Sequence, residues 1–226
     1  MSEISTLTSL RLAATVVLIR DSAPGIQVLL LRRNSKLAFY GGAWVFPGGK
    51  VDPKDEVSGI TSEESLSRVA ACREAFEEAG VKLLVEQLMP LSLWIPPVET
   101  SKRYLTRFFL ATLSNQKITI DDSEIKDFNW LSPELAIKAH SNNEIELAPA
   151  TFVTLNWLNS FKSALEVKAS VPRIIDIFEP KTITMPEGKI SLYQGDAGYE
   201  SSEPSKDGAR HRLTMIGRPY IYDRYI

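Results

Sequence analysis

Three acidic residues recur at short spacing in the segment SRVAACREAFEEAG, which covers residues 67–80. Glu74, Glu77 and Glu78 stand at positions i, i+3 and i+4, so one turn of an α-helix would place their carboxylates on one face. Like charges at i, i+4 destabilise an isolated helix by about 0.2–0.5 kcal/mol per pair. A solvated acidic surface is the ordinary explanation. The alternative is a site for a hard divalent cation such as Mg²⁺, which prefers carboxylate oxygens.

The apolar residues of the same segment predict which side of the helix is buried. Opposite the carboxylates, at helical spacing, fall the residues that we expect to form the core stripe: Val69, Cys72, Phe76, Ala79 and Gly80. Ala70 and Ala71 flank the carboxylates one turn earlier, where small side chains would leave room for a ligand. A capping box of Thr61 with Glu64 predicts where the helix begins, and Gly80 predicts where it ends.

A pair of glycines precedes this helix in the segment Phe46–Asp52, FPGGKVD. Gly48 and Gly49 lack Cβ atoms, so their backbone can lie close to a metal ion or a phosphate. Most glycine pairs are simple turns, and this one gains weight from its position between a predicted strand at residues 43–46 and the acidic helix. The sequence therefore predicts that the bend and the helix meet at one site.

The elements that would position this site are read from hydrophobic patterning. Residues 11–20 and 26–33 are apolar and predict a β-hairpin. Further strands are predicted at residues 81–85, 91–95, 104–113 and 125–131, and helices at residues 133–140 and 148–168. Strands and helices do not alternate regularly, which favours an α+β arrangement.

The last part of the chain changes character. Short strands are predicted at residues 174–178, 189–193, 211–216 and 219–225, separated by clusters of Pro, Gly, Ser and Glu. We therefore predict a main domain over residues 1–168. A β-rich C-terminal extension over residues 169–226 is expected to pack on it, because its apolar residues need burial.

Composition excludes several classes of protein. The chain has 226 residues, 44% hydrophobic and 24% charged, with a formal net charge of -2 and no basic run. These values are typical of a globular protein and do not favour a nucleic-acid binder. Cys72 is the only cysteine, so no internal disulfide can form. No apolar run approaches the roughly 18 residues of a membrane span, and no signal peptide is recognised, so a cytoplasmic protein without membrane contact is expected.

The motif residues resemble the Nudix box, G-x5-E-x7-R-E-U-x-E-E-x-G-U with U apolar. Residues 73–81, REAFEEAGV, match its second half, Gly49 matches its first glycine, and Asp55 stands where the box has Glu. Seventeen residues separate Asp55 from Arg73, where the strict box has seven. A loop and an N-terminal extension of the helix can accommodate this insertion.

With its long spacer, the sequence resembles the Nudix branch that includes the peroxisomal coenzyme A diphosphatases of animals. The likeness covers roughly residues 10–165 and continues in three later segments: Tyr104–Phe109, Trp130–Pro133 and Leu147–Phe152. It implies the Nudix fold, a mixed β-sheet sandwiched between helices. It also implies hydrolysis of a diphosphate linkage.

The resemblance further assigns roles within the motif. It implies that Glu74, Glu77 and Glu78 bind Mg²⁺ or Mn²⁺, with the Gly48 carbonyl as a further ligand. It implies that Arg73 pairs with Asp55 and holds Glu74 in place. In such a site the cations neutralise the diphosphate, polarise phosphorus and lower the pKa of a bound water.

Other charged residues are candidates for supporting roles. Glu124 and Asp127 could act as the base that assists water, and each could equally be a surface charge on an edge strand. Arg32, Arg33 and Arg107 are candidates for phosphate contact. Arg107 lies in an apolar strand and needs a partner, which is either a structural carboxylate or a substrate phosphate.

The expected substrate is a small nucleotide-diphosphate compound, with coenzyme A or acyl-CoA first in line. An ADP-ribose or nucleotide-sugar diphosphatase is the second enzyme hypothesis. A Nudix domain that binds a nucleotide without cleaving it is a hypothesis of another class, and such domains commonly lose metal-binding carboxylates, whereas all three are present here. A homodimer is a further possibility that the sequence leaves open.

Overall fold

The computed structural model describes residues 10–38, 40–56, 62–97 and 103–225. The strands are β1 (Arg11–Asp21), β2 (Ile26–Arg33), β3 (Trp44–Val45), β4 (Gly48–Lys50), β5 (Met89–Trp94), β6 (Tyr104–Thr112), β7 (Ile125–Leu131), β8 (Asp176–Phe178), β9 (Lys181–Met185), β10 (Gly188–Leu192), β11 (Arg210–Ile216) and β12 (Ile221–Tyr225). The α-helices are α1 (Glu63–Ala79), α2 (Pro133–Ser141), α3 (Pro149–Leu158) and α4 (Ala164–Ser170). Single 3₁₀ turns occupy Pro53–Asp55 and Val85–Gln87.

A mixed sheet forms the centre of the molecule. Its strands follow the order β3-β2-β1-β6-β5-β8, with β4 paired to β1 and β7 paired to β2. β1 runs parallel to β6 and β5 runs parallel to β8, while the remaining pairs are antiparallel. The predicted hairpin of β1 and β2 is confirmed, and Ser22 N–H closes its turn on the Gly25 carbonyl at 2.8 Å.

Each face of this sheet carries its own hydrophobic core. On one face, α1 packs on strand residues that include Val16, Leu18 and Phe109. On the other face, α2, α3 and α4 pack on Val17, Leu30 and neighbouring strand residues. The predicted α+β architecture, a mixed sheet between helices, is therefore confirmed.

The long helix α1 begins and ends close to the predicted positions. Ser62 is the N-cap and its hydroxyl accepts the Ser65 N–H at 3.1 Å, while Thr61 lies outside the described residues. Gly80 ends the helix in the left-handed conformation, with φ 69°, where residues with a Cβ are disfavoured. The helical spacer residues 63–72 extend the helix toward its N-terminus, as the insertion predicted.

The predicted buried stripe of α1 was right for Ala79 and wrong as a whole. The sheet-facing residues are Ala70, Ala71, Ala75 and Ala79, each 0% exposed, whereas Phe76 is 51% exposed. The strands beneath carry large side chains, so the helix can approach the sheet only through its smallest residues. Ala70 and Ala71 therefore seat the helix and leave no space for a ligand. Glu78 shares the alanine side of the helix and is 6% exposed.

Two other predicted elements differ from the structure. Residues 81–85 form no strand, because the N–H groups of Val81 and Lys82 bond to the Ala75 carbonyl and the Gln116 side chain. The predicted helix over residues 148–168 is two helices, α3 and α4. The second begins after Ser163, and the Ala164 N–H donates to Asp21 Oδ1 at 2.7 Å.

The extension, residues 169–226, contributes to both sheets. β8 joins the main sheet beside β5, and β9 to β12 form a second, antiparallel sheet. β9 was not predicted. Phe178 stacks on Trp94 with ring centroids 4.2 Å apart, and Tyr193 meets both rings edge-on. Within the described ranges, no helix is long and apolar enough to cross a bilayer.

Candidate active site

Arg73 joins the acidic end of α1 to the segment that follows the glycines. Its Nε and Nη2 donate to the two carboxylate oxygens of Asp55 at 2.7 and 2.9 Å. Nη2 also donates to the Lys50 carbonyl at 3.0 Å. Asp55 is 1% exposed, and although burial would raise the pKa of this carboxyl, the Arg73 guanidinium lowers it below its usual value. The pairing that the resemblance implied is present in the structure.

Glu74 lies directly over Gly49. Its Oε1 accepts a hydrogen bond from Arg73 Nη1 at 2.7 Å, which fixes the carboxylate against the glycine strand β4. A Cβ at position 49 would stand 2.5 Å from Glu74 Oε1, so glycine is required for this approach. Burial raises the pKa of Glu74 despite the Arg73 contact, and the charges of Glu77 and Glu124 raise it further.

Glu78 is the most deeply placed of the three carboxylates. Its Oε2 accepts the Gly48 N–H at 2.9 Å. Burial raises the pKa of Glu78 to about 8, an effect that the Gly48 bond opposes and the charge of Glu74 reinforces. The Arg33 guanidinium stands 4.0 Å from Glu78 Oε1. Glu78 is therefore costly to ionise in this position, and added positive charge would stabilise its anion.

Glu77 stands at the solvent edge of the site. Its oxygens accept from Lys54 Nζ at 2.8 Å and from Arg73 Nη1 at 2.9 Å, and these cations lower its pKa. Lys54 was missed in the sequence because a single lysine in a loop carries no spacing signal. Its position beside Asp55 in the chain is the only hint that it would face the helix.

The three glutamates fit a divalent cation by donor chemistry. Among the described residues, however, no three acidic, histidine or cysteine side chains converge closely enough to hold an ion in this arrangement. Arg73 donates to Glu74 and Glu77, Lys54 donates to Glu77, and the Gly48 N–H donates to Glu78. Burial, and to a smaller extent the neighbouring carboxylates, raise the pKa values of Glu74 and Glu78, and a bound cation would favour their charged forms.

The two candidate bases lie in different surroundings. Glu124 Oε2 is 3.9 Å from Arg33, and the negative charge of Glu124 raises the pKa of both Glu74 and Glu78. Asp127 pairs with Arg32 across β2 and β7 at 3.8 Å, and both side chains are about half exposed. The structure therefore brings Glu124 and Arg33 to the carboxylates and leaves Asp127 with Arg32 at the strand surface.

Arg107 lies apart from the glutamates. It pairs with Glu63 at 3.7 Å and lines a cleft of about 620 Å³ beside β5 and residues 171–175. Its Nε is buried and has no hydrogen-bond partner within the described part of the chain. Arg107 therefore has a structural carboxylate at its outer edge and a free donor inside.

Comparisons with known proteins identify the family of the chain. Residues 9–151 match the NUDIX domain family. Acyl-coenzyme A diphosphatase NUDT19 of Gallus gallus is 26% identical over 93% of this chain and 85% of that protein. Its Homo sapiens counterpart is 23% identical over 90% of this chain and 84% of that protein.

A solved structure has the same fold. The NUDIX hydrolase from Alicyclobacillus acidocaldarius is 22% identical, and the match covers 72% of this chain and 96% of that one with a TM-score of 0.61. The family match extends from β1 through the glycine strand and α1 to the first residues of α3. The chain belongs to the NUDIX family and is a Nudix-type phosphoanhydride hydrolase.

Proposed function

We propose that this protein hydrolyses the diphosphate linkage of coenzyme A or an acyl-CoA with the help of Mg²⁺ or Mn²⁺. One observation carries the proposal. The carboxylates of Glu74 and Glu78 lie against Gly49 and Gly48, where the backbone is open to close approach. Burial raises the pKa values of both carboxyls, so a cation bound between them would stabilise their charged forms.

The roles of the site residues follow from their contacts. Glu74, Glu77 and Glu78 would hold the cation, with the Gly48 carbonyl as a further donor. Arg73 holds Glu74 and Glu77 through one guanidinium nitrogen and is itself fixed by the buried Asp55. When bound, a divalent cation neutralises the diphosphate and activates water for attack.

We assign the base to Glu124 in preference to Asp127. Glu124 influences the pKa of the metal-site glutamates, and Arg33 links it to Glu78. Asp127 is engaged by Arg32 at the surface. Arg33 is also the better placed of the two neighbouring arginines to meet a substrate phosphate, because it stands beside the carboxylates while Arg32 does not.

The relatives support the choice of substrate. The proteins named acyl-coenzyme A diphosphatase match this chain over its catalytic segment and also over most of the extension, covering 89–93% of its length. Likeness over the extension favours a shared substrate more than the common Nudix box does, because the box serves many diphosphate compounds.

A substrate panel tests the assignment. Purified protein is incubated with Mg²⁺ or Mn²⁺ and with coenzyme A, an acyl-CoA, ADP-ribose or a nucleotide sugar. Release of 4′-phosphopantetheine or its acyl form is expected, and chelation of the metal should abolish it. Rapid turnover of ADP-ribose without cleavage of coenzyme A would instead establish the second enzyme hypothesis.

A matched pair of variants tests the residue roles. Glu77→Gln should lower kcat by about 10² or more while substrate still binds, since a metal ligand is lost without a change in shape. Glu64→Gln on the same helix is the control, because the two side chains are 45% and 47% exposed and both pair with cations. Equal rates for Glu77→Gln and the parent would refute the metal assignment.

A further inference from the structure

The turn between β11 and β12 carries Arg218, whose side chain contacts residues 140–146 of the Nudix domain. Arg218 Nη1 donates to the carbonyl oxygens of His140 and Ile145 at 2.6 and 3.2 Å, and Nη2 pairs with the Glu146 carboxylate. His140 lies in the last turn of α2, where carbonyl oxygens lack partners within the helix. A guanidinium at this end satisfies them and also complements the helix dipole.

The ring of His140 also contacts Arg218. It is 0% exposed, and its Nδ1 lies 2.6 Å from Arg218 Nη1 and accepts the Leu147 N–H at 3.2 Å. Burial and the Arg218 charge lower the pKa of His140 to about 4, so the ring is a neutral acceptor. Tyr220 packs edge-on against the His140 ring, with the two ring centroids 4.4 Å apart. Arg218 and Tyr220 of the extension therefore hold the loop of residues 140–147 through His140, Ile145 and Glu146.

The loop held by Arg218 contacts Trp44, which lies four residues before Gly48 of the glycine strand. The Trp44 N–H donates to the Glu146 carbonyl at 2.7 Å, and Trp44 and Leu147 form an isolated parallel bridge. Three residues after Trp44, the Pro47 carbonyl accepts the Val16 N–H at 2.9 Å, and the next N–H, that of Gly48, holds Glu78. Residues 145–147 are thus connected to a carboxylate of the site through the short, hydrogen-bonded segment from Trp44 to Gly48.

We propose that Arg218 is a positioning residue of the diphosphatase site, acting through residues 140–147 and Trp44 on the Gly48 N–H that orients Glu78. The inference rests on the proposed function, in which Glu78 is a metal ligand. It gives the extension a role in the reaction as well as in packing. Arg218 contacts none of the three glutamates of the site, Glu74, Glu77 and Glu78, and by this proposal does not contact the substrate.

The test compares two arginines of the same extension. Arg218→Met removes the grip on residues 140–147. Arg224→Met is the control, because Arg224 also makes a two-point ion pair, with Asp176 at 2.7 and 2.9 Å, but anchors β12 to β8 away from that loop. Mn²⁺ affinity is measured by titration of the metal alone, and backbone amide exchange is followed in a peptide spanning residues 41–50.

Arg218→Met should weaken Mn²⁺ binding by roughly tenfold, the lower range for residues that orient metal ligands, and should speed amide exchange in that peptide. Arg224→Met should leave both within twofold of the parent. Arg218→Lys keeps the charge but cannot span both carbonyls and Glu146, so an intermediate loss is expected, and this variant serves if Arg218→Met does not fold.

Three results would overturn the inference. Unchanged Mn²⁺ affinity and amide exchange in Arg218→Met would show that the contacts of Arg218 do not affect the position of Glu78. An equal loss in Arg224→Met would show only a general loosening of the extension. A parent protein that binds no Mn²⁺ would contradict the proposed metal site itself, and this inference with it, so the two failures are distinguishable.

Discussion

Glu78 shows how one side chain can link stability to function. It is 6% exposed on the sheet side of α1, where a carboxylate is costly to bury as an anion. The Gly48 N–H and the Arg33 charge offset only part of this cost of burial, and the pKa of Glu78 is still raised to about 8. A residue kept in this state serves a purpose other than packing, and in the proposed site that purpose is to bind a cation.

The raised pKa of Glu78 predicts a pH-dependent stability of the metal-free protein. The unfolded chain releases this proton near the ordinary value of 4.5, whereas the folded chain keeps it to about pH 8. Between these values the folded state binds more protons, so the free energy of unfolding should fall as pH rises, by up to about 1.4 kcal/mol per pH unit. Urea unfolding with a chelator at pH 5, 6.5 and 8 measures the slope.

Glu78→Gln provides the comparison. It keeps the shape of the side chain and cannot ionise, so the part of the slope due to Glu78 should disappear and the variant should exceed the parent in stability at pH 8. Identical slopes in the two proteins would mean that Glu78 titrates normally. Activity of this variant should be lost at every pH, because a neutral amide is a poor substitute for a metal-binding carboxylate.

Arg73 is the second residue whose substitution should lower the stability of the whole protein. Arg73→Met leaves Asp55, 1% exposed, as a buried anion without its cation. Breaking such a pair costs about 3–5 kcal/mol, which should appear as a lower midpoint of denaturant unfolding. Arg73→Lys should recover only part of this, since one ammonium cannot replace the two-point contact. Full stability in Arg73→Met would contradict the role of this pair.

At the scale of elements, the close contact between β4 and its neighbours depends on two adjacent glycines with different partners. A Cβ on Gly48 would meet the Ala14 carbonyl oxygen of β1 at 2.5 Å, while a Cβ on Gly49 would meet Glu74 Oε1 at 2.5 Å. The first obstacle is backbone that cannot move without breaking strand pairing. The second is the end of a side chain that can rotate away.

The two alanine substitutions should therefore have different effects. Gly48→Ala should lower the free energy of unfolding by about 1–3 kcal/mol, as crowding in a packed region does. Gly49→Ala should leave stability within about 1 kcal/mol of the parent but displace Glu74 and reduce kcat by roughly tenfold or more. Thermal unfolding and steady-state kinetics on the same preparations measure both. Equal stability losses would show that Glu74 cannot yield.

At the scale of the whole molecule, the extension has its own buried anchor. The Asp196 carboxylate accepts two hydrogen bonds from the Arg212 guanidinium, at 2.6 and 2.7 Å. It also accepts hydrogen bonds from the N–H groups of His211 and Gly198. Burial would raise the pKa of Asp196, but these donors together lower it to about 2. The ion pair joins the loop after β10 to β11 and so holds the second sheet together.

Loss of this anchor should destabilise the extension. Arg212→Met leaves Asp196 buried and unpaired, at a cost of about 3–5 kcal/mol. In the parent, the contribution of Asp196 is complete above its ordinary pKa of 3.8 and is lost as pH falls toward 2, so Asp196→Asn should show a shallower acid dependence. Denaturant unfolding between pH 5 and pH 2.5 measures both variants. Unfolding of Arg212→Met at the parent midpoint would contradict this role.

Much of this architecture could be predicted from the chain alone. The hairpin of β1 and β2, the strands β6 and β7, the Gly80 helix end and the start of α2 follow from alternation, turn residues and capping residues, which act within a few positions. The i, i+3, i+4 glutamates likewise share a turn because helix geometry is local. The Nudix resemblance added the partnership of Arg73 with Asp55 across the long spacer.

The tertiary structure decided what local rules cannot. Which side of α1 is buried depends on the volume of the strand side chains beneath it, so alanines face the sheet and Phe76 faces solvent. The burial of Glu78 and the docking of Arg218 on residues 140–147 have the same origin, since both depend on groups distant in sequence. The sequence determined the donors and their spacing, and long-range packing determined their charge state and what holds them in place.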